Sequence, residues 1–99
     1  MEDILYVMLI VKGKDYKKIN KEMVIKHVDY IKSLDNEGKL KICGAFKGFP
    51  GMGGMIILKV KSYEEAEAIC KNEPFVANGY ATYKLSTLLV GNKENNYLL

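Results

Sequence analysis

Residues 40–60 read LKICGAFKGFPGMGGMIILKV. This stretch decides the fold: a strand over residues 40–46, a glycine-rich turn over 48–54, and a second strand over 55–60. The second strand is apolar at every position but Lys59, which predicts a central strand covered on both faces. The turn, Gly48-Phe49-Pro50-Gly51-Met52-Gly53-Gly54, cannot continue a regular strand or helix. Nor does it suit phosphate, because the common phosphate loops lead into a helix whose N-terminus holds the anion, and this one leads into a strand.

The chain extends outward from this hairpin almost symmetrically. Upstream, residues 4–11 (ILYVMLIV) are apolar throughout and predict another central strand. A polar turn through Gly13 follows. A helix is then expected over residues 17–37, because Ile19, Met23, His27, Ile31 and Leu34 fall on one stripe. Gly38 stops it. Downstream, Ser62-Tyr63-Glu64-Glu65 fits a capping box, with Glu65 reaching back to the cap. Ala66, Ile69 and Cys70 form the apolar side of that second helix, and Pro74 ends it. The last strand spans residues 80–89, with Ala81, Tyr83 and Leu85 on one face. Residues 91–99 form a polar tail that either is disordered or folds back through Tyr97, Leu98 and Leu99.

The order βαββαβ predicts one α+β domain over residues 1–90: a four-stranded antiparallel sheet with both helices on one face. That leaves the second sheet face bare, although the first and third strands look apolar on both sides. A second copy of the chain, packed sheet on sheet in a barrel-like dimer, is the economical cover.

Composition narrows the function. The net charge is +3, and all fifteen basic residues are lysine. Arginine is the usual bidentate reader of phosphate and guanine. Lys14, Lys17, Lys18 and Lys21 alternate with Asp15, Asn20 and Glu22, the pattern of a solvated face, so no nucleic-acid partner is expected. The longest apolar run has the eight residues of the first strand, against roughly 20 for a membrane span. It follows Glu2 and Asp3 and has no small-residue cleavage site after it, so neither a membrane partner nor a signal peptide is expected, and the cytoplasm is. Cys43 and Cys70 are expected as buried, reduced thiols. One histidine excludes a multi-histidine metal centre within one chain.

Two side chains could do acid–base chemistry. His27 lies on the apolar stripe of the first helix; it is either a core histidine or a general acid–base, since imidazole titrates near neutrality. Glu73, before Pro74-Phe75, is either an exposed helix-end carboxylate or a partner for His27. If they meet, the carboxylate fixes the imidazole tautomer.

The segment from His27 through Leu34, with Gly38, Leu40, Gly44, Ser62-Tyr63-Glu64-Glu65-Ala66, Glu73-Pro74-Phe75 and Gly79, resembles the YciI-like protein family over nearly the whole chain. The resemblance implies a ferredoxin-like α+β fold that dimerises into an α/β barrel, related to muconolactone isomerase. It also implies an active site built on a histidine in the first helix, matched by His27, and an aspartate before the proline-aromatic pair. Glu73 departs there by one methylene, and Ala45 stands where the family often has proline. Some relatives catalyse proton transfer or elimination on ring-derived substrates, dehydrochlorination among them. The implied function is therefore a cytoplasmic lyase- or isomerase-type enzyme using His27 and Glu73 without metal or organic cofactor, acting on a small ring-derived or carboxylate molecule. Tyr6, Cys43, Gly44, Phe46, Phe75 and Tyr83 are the expected pocket wall. The alternative is a dimeric module that binds a small ligand and does no chemistry; a haem- or quinone-oxidising monooxygenase on the related barrel is a third option.

Overall fold

The computed structural model describes residues 4–99; the first three residues of the expected domain, Met1, Glu2 and Asp3, lie outside the described residues. The hairpin forms β2 (Leu40–Ala45) and β3 (Met52–Leu58). Gly48 and Gly51, both at positive φ (85° and 77°), make its turn. The expected strand start moves from residue 55 back to Met52. Gly53 and Gly54 are strand glycines: a Cβ on Gly54 would collide with the Gly44 carbonyl, and one on Gly53 would push aside the hydroxyl end of Tyr16. Close approach, not turn geometry, sets their identity.

β1 (Ile4–Lys12) and β4 (Ala81–Leu89) complete an antiparallel sheet ordered β2-β3-β1-β4, so the two apolar strands are central, as in a ferredoxin-like fold. Register sorts their side chains. Tyr6 faces Leu58, Met8 faces Ile56 and Ile10 faces Gly54 across the β1–β3 pair. These apolar side chains are buried under the helices with Met23, Leu34, Ala66, Ile69, Cys70 and Phe75. The alternating set, Val7 against Ile57 and Leu9 against Met55, lies on the other face and is only half-buried. Coverage on both faces is thus reached on one face within a single chain.

The first helix, α1, is Lys21–Asn36, shorter than expected. Residues Tyr16–Lys18 are instead a separate 3-10 turn. Asn20 divides them: its side chain accepts from the Met23 N–H at 2.9 Å, an N-cap that starts a new helix. At the other end Gly38 (φ 74°) donates to Asp35 and Lys39 to Leu34, at 3.0 and 2.9 Å, which closes α1 as a Schellman motif. α2 (Tyr63–Asn72) is capped by Ser62, which accepts from Glu65 N–H at 3.0 Å. The reciprocal bond falls one residue early: the Glu65 carboxylate accepts from Lys61 N–H at 3.2 Å. A one-turn helix, α3 (Pro74–Ala77), precedes β4.

Two further expectations are corrected or resolved. Cys70 is buried, but Cys43 is exposed, because it stands on edge strand β2. The tail folds back: Asn92 and Asn95 cap a 3-10 segment over Lys93–Leu98, and Asn95 Nδ2 donates to the Val90 carbonyl at 2.7 Å. No helix among the described residues is long and apolar enough to cross a membrane.

Candidate functional site

The site is built at the corner between α2 and α3. Pro74 stops α2 and starts α3, since its missing N–H is harmless in a first turn. Glu73 therefore serves both helices. Its N–H donates to the Cys70 carbonyl at 3.3 Å, and its Oε1 accepts from the Val76 N–H at 3.1 Å, capping α3. That geometry turns the carboxylate inward, where Glu73 is fully buried. Its second oxygen, Oε2, lies 2.6 Å from Nδ1 of His27. Two residues forty-six positions apart are thus joined because α1 and the α2–α3 corner lie on one sheet face.

The imidazole is held by more than this bond. It stacks on the Phe75 ring at 4.3 Å between centroids and 8° between planes. Phe75 in turn meets Tyr16 edge-on at 6.1 Å and 75°. An ionised carboxylate only accepts, so with Glu73 ionised this bond is donated by Nδ1–H. Nε2 takes no part in that bond. His27 is 22 % exposed, and the exposed part opens on a cleft of about 300 Å³.

α1 supplies Val24, His27 and Ile31 to the cleft, β2 supplies Cys43, Gly44 and Ala45, and β3 supplies Gly53 through Ile56. Tyr16, Ile10 and Phe75 close it. The lining holds no Asp, Glu or Lys side chain. A larger hollow, about 490 Å³, lies among Ile4, Leu5, Lys41, Lys59, Val60, Lys61 and Val90; it shares no residue with the cleft and holds no acid–base pair. Among the described residues, no three His, Cys, Asp or Glu side chains cluster closely enough to hold a metal ion.

Of the expected wall, Cys43, Gly44 and Phe75 line the cleft, and Tyr6, Phe46 and Tyr83 do not. Tyr6 is buried under the helices with its ring against Tyr63. Phe46 pairs with Phe49 at the hairpin end, 5.0 Å between rings. Tyr83 turns toward α2, its hydroxyl 3.4 Å from a Glu67 oxygen. Sequence reading missed Tyr16, which sits in a stretch that reads only as polar turn and helix start. Burial raises the Tyr16 hydroxyl above the ordinary phenol range, and the Glu73 charge raises it further. Around the pair, burial is also the main cause lifting Tyr30 to about 12, with smaller contributions from Cys70, Glu73 and Glu37. Burial, then Glu67 and Glu73, lifts Cys70 to about 12. Both therefore stay protonated beside the carboxylate at neutral pH.

Known proteins resemble this chain in sequence or in fold. A family model described as the YCII-related domain matches residues 4–88. The uncharacterized protein YjpA of Bacillus subtilis (strain 168) is 34 % identical over 74 residues, 75 % of this chain and 81 % of YjpA. Among solved structures, the 5-chloro-2-hydroxyhydroquinone dehydrochlorinase TftG of Burkholderia phenoliruptrix AC1100, in complex with 2,5-dihydroxybenzoquinone, superposes with a TM-score of 0.73. It is 17 % identical, and the match covers 93 % of this chain and 99 % of that one. At that identity the likeness is one of fold.

Proposed function

The chain belongs to the YCII-related domain family, and from that premise we propose that it is a lyase- or isomerase-type enzyme in which His27 moves a proton on a small planar ring substrate. The carrying observation is the 2.6 Å bond from His27 Nδ1 to the buried Glu73 carboxylate, beside a cleft whose lining holds no Asp, Glu or Lys side chain. With Nδ1–H given to Glu73, the Nε2 lone pair faces substrate as the base. It takes a proton from an acidic O–H or C–H of the ring. In an elimination, the electron pair so released forms the new double bond, and the leaving group departs with its own pair. Glu73 stabilises the imidazolium until the proton passes to a second ring atom in an isomerisation, or to solvent alongside the departed anion in an elimination. The role of Glu73 is positional and electrostatic; Phe75 fixes the imidazole plane.

TftG, named for a dehydrochlorination and bound to a quinone, motivates the first substrate to test. Chloride release from 5-chloro-2-hydroxyhydroquinone, without oxygen, should be faster with the wild type than with His27→Gln by about 10²–10⁴-fold, the range of a general acid–base. Equal, background-level release by both proteins would end the elimination reading for this ring. Binding of 2,5-dihydroxybenzoquinone without any turnover would favour a ligand-binding module instead.

The enzyme acts as a homodimer in this reading. Leu5, Val7, Leu9, Met55 and Ile57 make the centre of the sheet's outer face apolar and half-exposed, with Ser86 and Lys84 beside it on β4, and a second copy packed face to face would bury that centre. Two free thiols suit a reducing compartment, the cytoplasm.

A further inference from the structure

Tyr16 is held by its ring and left free at its hydroxyl. The ring edge rests on Phe75. Lys12 Nζ sits 5.4 Å from its centroid, a cation–π distance. The turn that carries it is fixed by Tyr16 N–H to the Gly13 carbonyl at 3.1 Å, and by Ile19 N–H to its own carbonyl at 3.2 Å. No side chain or carbonyl among the described residues bonds the hydroxyl itself.

β3 is shaped around that hydroxyl. Ile10 pairs with Gly54, but Val11 pairs with Met52, so Gly53 is skipped in the register with β1. Such a bulge re-aims one residue of a strand and is common beside active sites. Here it brings Gly53 beneath the phenol, so closely that a Cβ on Gly53 would overlap the Tyr16 hydroxyl oxygen. Gly53 and Tyr16 both line the cleft that His27 lines. The backbone φ of Gly53 is not in the left-handed region, so conformation does not require glycine; a Cβ there would push the hydroxyl end of Tyr16 aside.

We infer that Tyr16 is the oxygen-recognising residue of this site: its hydroxyl donates a hydrogen bond to a carbonyl, phenolic or enolate oxygen of the planar ligand whose proton faces His27. The inference rests on the proposed acid–base reading and deepens it by requiring a ring that carries an oxygen. The division of labour follows from charge. Burial and the nearby Glu73 carboxylate disfavour the Tyr16 phenolate, so Tyr16 is a donor and His27 the base. Gly53 acts through Tyr16 as a positioning residue.

The test is titration of wild type, Tyr16→Phe and Gly53→Ala with 2,5-dihydroxybenzoquinone, followed by the ring-proton NMR signals of His27, the one histidine in the chain. Tyr16→Phe keeps every ring contact and removes one donor. It should weaken binding by about tenfold, the loss expected for a hydrogen bond to an anionic or strongly accepting oxygen. Before ligand is added, the His27 signals, displaced by the Phe75 ring, should match those of the wild type; a merely structural role for the hydroxyl would move them. Gly53→Ala should weaken binding in the same direction, and adding it to Tyr16→Phe should cost little more. Wild-type binding that Tyr16→Phe leaves undiminished overturns the assignment and leaves the His27 reading standing. Failure of the wild type to bind overturns the ring-substrate reading, and the assignment with it.

Discussion

Glu73 carries two duties on one carboxylate: Oε1 caps α3 and Oε2 holds His27. Glu73→Gln separates them. An amide offers one oxygen to two N–H donors, so either the cap or the imidazole bond must break or invert. If the amide oxygen keeps Val76, the amide NH₂ donates to Nδ1 and drives the proton to Nε2, the wrong nitrogen for a base facing substrate. The expected result is a lost or inverted His27 tautomer and a stability loss of about 1–3 kcal/mol, the usual cost of a buried group left unsatisfied, read by urea unfolding. At this scale the sequence was partly legible. The residues of the pair could be nominated from His27 on an apolar stripe and Glu73 before Pro74-Phe75. Their contact could not, because it depends on how α1 crosses the α2–α3 corner. Tyr16 was hidden for the same reason, since only the fold brings a residue of the β1–α1 turn to Gly53.

Among the elements, α1 shows how a local cap overrides periodicity. The apolar stripe runs through Ile19, yet Asn20 restarts the helix and leaves Tyr16 in its own turn. Asn20→Ala should cost about 1 kcal/mol, measured by thermal or urea unfolding. The contact between α1 and α2 is sealed by the Tyr30 hydroxyl, which donates to the Ile69 carbonyl at 2.8 Å, and by Cys70, fully buried. Both groups are held protonated, with folded values of about 12 against ordinary values of 10.0 and 9.0. A raised pKa means that the folded state keeps the proton longer than the unfolded chain. The stability it represents is whole below about pH 9 and is lost as pH climbs toward 12. The urea midpoint should therefore fall between pH 9 and 11, and Cys70→Ala should flatten that fall. With iodoacetamide, Cys43 should react in the native protein and Cys70 only on unfolding, as mass spectrometry of the labelled peptides would show. The sequence did not distinguish these two thiols. Cys43 shares the helix-facing side of the sheet through its pairing with Ile56, but an edge strand beside an open cleft leaves it exposed.

At the scale of the molecule, hydrophobic alternation and turn chemistry sufficed for strand order, because β1 and β3 are apolar on both faces and only the centre of the sheet accommodates such strands. Details at the ends of elements escaped, as with Gly53 and Gly54, whose role is set by what approaches them from elsewhere. The half-exposed face around Val7 and Ile57, opposite each other on β1 and β3, carries the dimer proposal. Ile57→Lys should place a charge in that contact and yield a monomer by analytical ultracentrifugation. The same variant should leave the His27–Phe75 stack intact, since Ile57 faces away from it.

In the proposed mechanism Glu73 fixes the Nδ1–H tautomer of His27 and so presents Nε2 as a base. The most direct measurement is the side-chain ¹⁵N spectrum of His27 at a pH where the ring is neutral; with a single histidine the signals need no deconvolution. A protonated Nδ1 and an unprotonated Nε2 are expected, exchanged or averaged in Glu73→Gln. A proton on Nε2 in the wild type, or a tautomer indifferent to Glu73→Gln, would contradict that mechanism.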